Sequence, residues 1–568
     1  MATLGIEGLS LEQWRRQLAV ALGEEPADLL IRNARVVNVA SGEVETANVA
    51  IVHGRIAGVG DYTEGKEELD LAGAYLAPSF IDGHVHVESS LLWIDQFARA
   101  VVPHGTGAVV TDPHEIANVA GLAGIEALME ASADLPLGVF FTVPSCVPAS
   151  PMESPGAEMT PEVIGEALRL PRVVALGEMM NFPGVLAGDP EIYRKLVAPA
   201  PRRDGHAPGL AGRQLNAYAG SGMGSDHEST RLEEAREKLR RGLMIMIREG
   251  STEHNLLELL PLVTDQTYPR CCFASDDRDC ATLLHDGHMD AVLRKAISAG
   301  LDPIRAIRLA TLNTAEYWGL TGFGLVAPGY WANLVVFDRL DDIRPRLVLY
   351  RGAVVAREGQ PTFETRSTIP DALLQTVHVA PLALEYLQLP AEPKMTAVGA
   401  IPGQIVTRKL EVEPKVVHGL AVADPERDLL KLVVVERHRA TGRVGVGLVQ
   451  GFGLKRGALA SSIAHDAHNI VAVGVSDEDL LLAIGTVAEM QGGLAAVADG
   501  QVLATLPLPV AGILSPEPLE QVAAGYERVE EAARSLGSTV PAPFALLSFM
   551  ALSVIPEARV TDRGLVVL

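Results

Sequence analysis

The order of apolar and polar positions changes rhythm along the chain, and each change marks a different kind of element. Residues 10–14, Ser-Leu-Glu-Gln-Trp, set a serine N-cap ahead of a helix running towards Leu22. From Asp28 to Leu76, short apolar runs separated by turn signals such as His53-Gly54 predict strands over residues 29–33, 35–39, 49–52, 55–59 and 68–71. The same texture returns over residues 332–337 and 347–355, which predicts that the two ends pair into one small β-sandwich flanking the middle.

Between Pro78 and Gly319 apolar runs alternate with helical stretches, the signature of parallel βα units. Eight strands are predicted, ending near His86, Asp112, Val143, Glu178, His206, His227, Arg248 and Asp276. Eight units in about 240 residues predict a closed (β/α)8 TIM-like barrel, a fold that sets its chemistry at the C-terminal strand ends. The segments ending at His206 and His227 are Gly-rich and carry the weakest strand pattern. From about Ile369 the chain has its own mixture: residues 431–435 and 444–448 flank Thr441-Gly442 as a hairpin, and Ser476 to Met490 reads as a helix stopped by Gly492-Gly493. Prolines between Pro381 and Pro393 mark a loop or linker. The predicted class is α/β: residues 1–77 and 326–368 form the flanking β-domain, 78–325 the barrel and 369–568 a C-terminal α+β domain.

Composition narrows the partners. The 568 residues carry a net charge of −24 and a pI near 5.1, an acidic surface that repels phosphate backbones and anionic lipid, so neither nucleic acid nor membrane is an expected partner. Hydrophobic residues at 48% are ample for large cores. Four cysteines, two of them adjacent at Cys271 and Cys272, make neither a disulfide framework nor a Cys-x-x-Cys zinc pair, which fits a reducing cytoplasm. No basic region leads into an apolar stretch at the start, and no apolar run reaches about 18 residues, so the protein is expected to be neither exported nor inserted.

The candidate chemistry begins at Pro78-Ser-Phe-Ile-Asp-Gly-His-Val-His-Val-Glu-Ser-Ser90. Side chains on a strand repeat every two residues, so His84 and His86 face the same way and can grip one metal ion. An isolated pair also reads as one histidine at a strand end and one in solvent. Glu178, His206, His227 and Asp276 fall at other predicted strand ends, which a closed barrel gathers at one mouth. Singly, Glu178 reads as a helix-start carboxylate, His206 as a loop residue beside Asp204-Gly205, and Asp276 as one of several acids in residues 275–279. Together, imidazoles and carboxylates suit a divalent transition metal, and a bridging carboxylate can hold two ions that activate water, with Asp276 placed to carry a proton. Asp112-Pro-His-Glu115 reads either as a helix start, with Asp at N-cap, Pro at N1 and Glu at N3, or as part of the mouth. Glu88, His114, Glu115 and Glu228 are candidates for substrate binding or for supporting the metal. His465 and His468 read as a same-face helical pair or as structural loop residues, and residues 451–457 match neither the dinucleotide nor the Walker spacing and read as a turn.

The order His-x-His, a strand-4 carboxylate, His, His and a strand-8 Asp, in a barrel flanked by a small β-domain, resembles the amidohydrolase superfamily. Within it, Phe80-Ile-Asp-Gly-His-Val-His-Val-Glu-Ser-Ser90, Asp112-Pro-His-Glu-Ile-Ala-Asn118, Gly177-Glu-Met-Met-Asn181, Asp204-Gly-His206, Asp226-His-Glu-Ser229 and Phe273-Ala-Ser-Asp-Asp-Arg278 are similar to the bacterial adenine deaminases. Ser461-Ser-Ile-Ala-His-Asp-Ala-His-Asn-Ile470 and Met490-Gln-Gly-Gly493 extend the likeness through the final third. Many amidohydrolases bridge two metals with a carboxylated lysine on strand 4, and no lysine lies between Pro171 and Asn181. The resemblance implies that Glu178 takes that place, and that His84, His86, Glu178, His206, His227 and Asp276 hold two divalent transition ions, Mn2+ or Fe2+. It implies that Asp276 and Glu178 are catalytic. The implied reaction is hydrolysis at C6 of adenine by a metal-activated hydroxide, giving hypoxanthine and ammonia, in purine salvage or catabolism, by a homo-oligomer (dimer or larger). A related binuclear amidohydrolase acting on another heterocycle or a cyclic amide is the alternative, against which the missing lysine and the C-terminal likeness weigh. A non-catalytic barrel should have lost ligands, and all six are present.

Overall fold

The structure is a computed structural model that describes residues 8–365, 368–402 and 404–568. Helix α1 (Leu11–Ala21) begins as its sequence predicts: the Ser10 hydroxyl accepts the Gln13 amide and the Gln13 side chain accepts the Ser10 amide. Its buried Val20 packs against Ala27, Leu30, Ala50 and Val52 of the adjoining sheet.

That sheet has nine strands and is built from both ends of the core. Tyr75–Pro78 is the seam, parallel to Ala27–Asn38 on one side and antiparallel to Leu334–Phe337 on the other. Ile31, Val36, Val49 and Ile51 share one apolar cluster with Leu334, Val336, Leu347 and Leu349, so the early and late segments enclose a common core. Residues 29–33 and 35–39, expected as two strands, form one strand, Ala27–Asn38. Asn33, at φ 54°, absorbs an irregularity between Ile31 and Ala34 that restores register with Glu43–Val52. Asn tolerates this left-handed backbone better than most residues, which is why the interruption bends the strand without ending it.

The barrel strands are β1 (Phe80–His86), β2 (Thr106–Thr111), β3 (Gly138–Val143), β4 (Val173–Met179), β5 (Arg203–Gly205), β6 (Ser225–Asp226), β7 (Met244–Arg248) and β8 (Cys271–Ala274, resuming at Asp276–Asp277). Consecutive strands other than β5 and β6 pair in parallel, and β8 returns to β1 through Asp276 opposite Val85. The ring is carried across β5 and β6 by a 2.9 Å hydrogen bond from the Gly224 amide to the Arg203 carbonyl. These two strands are only three and two residues long. Buried side chains hold their ends instead: Asp226 binds the Lys238 ammonium at 2.8 Å and accepts the Ala207 amide at 3.1 Å.

The C-terminal domain is an eight-stranded sheet buried on both faces. Along its hairpin strand Leu429–Val435, Val433 and Val435 meet helix α2 (Asp477–Glu489) through Leu480, Ala483 and Ile484, while Leu430, Leu432 and Val434 join the large cluster on the other side. That period of two dictates which helix covers which face. The hairpin partner is Val444–Gln450, as predicted. Helix α2 ends at Glu489 before the two glycines, and Gly493 opens the next strand, Gly493–Ala498; a Cβ at Gly492 would meet the Gly512 Cα at 2.3 Å. The domain docks on the barrel through Ser515, whose amide donates to Leu91 and whose carbonyl accepts from Trp93, and through Asp562, which accepts from the Ser154 hydroxyl. Among the described residues no helix is long and apolar enough to cross a membrane.

Candidate metal centre

The barrel mouth gathers His84, His86, Glu178, His206, His227 and Asp276, with His206 the most exposed of the six. The imidazole Nε2 atoms of His84 and His86 lie 3.2 Å apart, and Asp276 Oδ1 is 3.7 Å from the first and 3.1 Å from the second. Glu178 spans the centre. Its Oε1 is 3.4 Å from His86 Nε2, and its Oε2 is 2.6 Å from His206 Nδ1 and 3.3 Å from His227 Nε2. A metal with bonds of about 2.1 Å sets neighbouring donors about 3.0–3.4 Å apart, so most of these separations suit a divalent metal.

The ring nitrogens are already sorted for that task. His84 Nδ1 donates to Asp204 Oδ2 at 2.9 Å and His86 Nδ1 donates to the Asp112 carbonyl at 2.9 Å, which leaves both Nε2 atoms facing the centre. Asp204 is held in turn by the Ser225 hydroxyl at 2.5 Å. Two glycines allow the close approach: a Cβ at Gly177 would sit 2.2 Å from Asp112 Oδ2, and one at Gly205 would sit 2.2 Å from the Ser225 carbonyl. Each immediately precedes a residue of the cluster, Glu178 or His206.

Electrostatics points the same way. Burial alone would depress the imidazoles, yet Glu228 and Glu178 raise His206, and chiefly Glu178 raises His227, each to about 9. Burial would raise the Asp276 carboxyl, but the hydrogen bond with His86 and the Arg248 charge hold it well below its usual range. Such an anionic pocket calls for positive charge, and protons and a divalent ion compete for the same nitrogens.

The remaining candidates divide. Glu228 pairs with Arg248, which also binds Asp276 Oδ2 at 2.8 Å; Arg248 and Asp204 are site residues that sequence reasoning left without a role. The signal for Asp204 was local: an acid stands one or two positions before a cluster histidine in Asp82-Gly-His84, Asp204-Gly-His206 and Asp226-His227. His114 Nδ1 lies 3.3 Å from Glu178 Oε1 and its Nε2 3.3 Å from Glu115. A helix does start at residues 112–115, but not with the caps expected of it. It spans His114–Ala131, with Pro113 at its N-cap and no side-chain cap. Asp112 turns inward to accept the Glu178 amide at 2.9 Å and the Thr142 hydroxyl at 2.8 Å, while Glu88 accepts the Ile116 amide in the first turn. Glu115 meets the C-terminal domain: its carboxylate takes His465 Nδ1 at 2.6 Å and a short contact from His468 Nε2. His465 and His468 are therefore not a helical pair: they lie in a turn, as the loop reading expects, and are held there by Glu115.

A cavity of about 340 Å³ opens on the cluster, lined by His86, Glu178 and Asp276 from the barrel and by His465, Asp466 and Phe549 from the C-terminal domain. It falls within the size range of small-molecule sites.

The sequence profile of the Amidohydrolase family matches residues 75–367, and that of the Adenine deaminase C-terminal domain matches residues 404–568. The chain is 55% identical over 551 residues to a protein named adenine deaminase from Dehalococcoides mccartyi (strain CBDB1), covering 97% of this chain and 96% of that one. It is 47% identical over 550 residues to one named adenine deaminase 2 from Carboxydothermus hydrogenoformans, covering 96% of each. With both profiles matched in the order of its domains and the likeness running through barrel and final third alike, the chain belongs to the amidohydrolase family and, within it, to the adenine deaminases.

Proposed function

We propose that this protein hydrolyses adenine at C6, taking up one water and releasing hypoxanthine and ammonia, in the salvage or breakdown of purines in the cytoplasm. The observation that carries the reading is near-full-length identity of 55% to a relative named for that activity, supported by a mouth whose clustered His, Asp and Glu side chains could hold metal ions. His84, His86 and Asp276 would hold one ion and Glu178, His206 and His227 a second, and we assign both as Mn2+ or Fe2+. When bound, such ions supply activated water at neutral pH. The protein's own residues do the rest. Asp276 Oδ1, on the His86 side, receives a proton and returns it to the departing amine, while Arg248 holds Oδ2 and fixes the carboxylate's orientation. Glu88, His114, Glu115 and Glu228 support the centre or contact the base. We also assign a homo-oligomer.

The test is ammonia release by manganese-loaded protein mixed separately with adenine, guanine and cytosine. Adenine alone is expected to be consumed, at a rate lost in Glu178→Ala together with its metal. Rapid turnover of another base with adenine untouched would sink the assignment, and so would full activity in a thoroughly metal-free preparation.

A further inference from the structure

His465 stands at the junction of two cavities, the one over the metal-binding cluster and a smaller one of about 100 Å³ lined by Glu88, Ser251, Tyr526 and Phe544. Glu115, Asp277 and Phe549 line both cavities with it. Its ring stacks on Phe549, with centroids 4.8 Å apart and planes at 14°. Its Nδ1 lies 2.6 Å from Glu115 Oε1, and among the described residues no protein group takes its Nε2. A carboxylate on one ring nitrogen fixes the ring and turns the opposite nitrogen away from itself, on a side chain that borders both cavities.

His468 completes the arrangement. The Ala464 amide donates to its Nδ1 at 3.3 Å, so its proton sits on Nε2, which donates to Glu115. A nitrogen protonated in that way is a hydrogen-bond donor and not a metal ligand, so Glu115, His465 and His468 make a hydrogen-bonded positioning group and not a further cation site. With His468 neutral, the Glu115 charge is balanced on this side by His465, and both nitrogens of a charged imidazole are donors. Burial lowers the His465 pKa, but the charge and hydrogen bond of Glu115 lift it to about 9.

We propose that His465 is a substrate-contacting residue supplied by the C-terminal domain, its Nε2–H donating to a ring nitrogen of the purine while Glu115 and His468 hold it in place. The inference rests on the adenine-hydrolysing reading and assigns a role that the barrel alone cannot fill. A donor at a ring nitrogen draws electron density from the heterocycle and stabilises the charge that builds on the ring as water adds at the amino-bearing carbon. Donors aimed at developing charge typically contribute about 10²–10³ in kcat.

The experiment compares wild type, His465→Ala and His465→Asn, each loaded with Mn2+ and assayed for metal content. It measures kcat and KM for adenine and inhibition by 1-deaza-, 3-deaza- and 7-deazaadenine, each lacking one ring nitrogen. His465→Ala is expected to keep its metal and lose about 10²–10³ in kcat, with His465→Asn recovering part through its amide donor. Two of the analogues should bind His465→Ala more weakly than wild type. The third, missing the nitrogen that His465 addresses, should bind both alike. Rates within a few-fold of wild type, or equal weakening of all three analogues, overturn the inference while leaving the adenine reading intact. Wild type that releases no ammonia from adenine overturns both.

Discussion

Asp276 divides its carboxylate between two neighbours. Arg248 occupies Oδ2 at 2.8 Å, and Oδ1 faces His86 at 3.1 Å, so a single oxygen remains for chemistry. Its backbone sits at φ 57°, a left-handed conformation that an aspartate adopts at some cost and that aims the side chain into the mouth. Asp204 is also fully buried, and its hydrogen bond to the cluster is to His84 Nδ1, the nitrogen turned away from the centre. The two acids should therefore fail differently. Asp276→Asn is expected to lower kcat by about 10²–10⁴ even at saturating Mn2+, as loss of a proton carrier does. Asp204→Ala is expected to weaken metal affinity about 10–100-fold, as loss of a residue orienting a ligand does, with much of the rate recovered when Mn2+ is raised. Activity measured against added Mn2+ separates them; an Asp276→Asn curve that merely shifts to higher metal would remove Asp276 from proton transfer.

At the scale of elements, the helix Leu519–Ser535 packs its apolar face, including Val522, Val529 and Ala533, into the large core but also buries Glu530 there. Burial pushes that carboxyl up to about 7, further than the Phe544 amide, Tyr526 and Arg534 draw it down. A carboxyl whose folded-state pKa exceeds its ordinary value near 4.5 contributes stability that is fully present below about 4.5 and lost as pH rises through about 7. Glu530→Gln keeps the shape of the protonated acid and cannot ionise. Urea unfolding should show it close to wild type at pH 4.5 and more stable than wild type at pH 8, by on the order of 1–3 kcal/mol. A difference independent of pH across that window would show that Glu530 is ionised in the folded protein throughout.

For the whole molecule, the arrangement that matters is a barrel mouth covered by a second domain. His465, Asp466 and Phe549 close one side of the cavity opposite His86, Glu178 and Asp276, and Ser150 meets Ser553 across the joint at 2.6 Å. A covered site admits a purine more readily than a purine carrying ribose, and the net charge of −24 offers no welcome to a nucleotide phosphate. Adenine should be deaminated far faster than adenosine, and AMP should be inert. The comparison is kcat/KM for the three on the intact protein, and adenosine matching adenine would show that the cover does not select by size.

The sequence by itself determined the strand count of the barrel, the strand texture shared by the two ends of the small sheet and the hairpin at Thr441-Gly442. Each rests on local periodicity and turn chemistry that survive without any tertiary context. It also supplied His84 and His86 as a same-face pair, because a period of two is a property of the strand itself. Tertiary structure decided the rest. Which way Asp112 points depended on Glu88 reaching the start of the helix in its stead, a contact between residues 28 positions apart from Glu88 to Ile116. The continuity of Ala27–Asn38 depended on its neighbour Glu43–Val52 holding register across Asn33. His465 and His468 stand 353 positions from Glu115 for the farther of the two, and no local pattern announces their meeting. Domain docking brings them together, and a burial that removes water from all three groups at once turns an unremarkable pair of loop histidines into part of the barrel mouth.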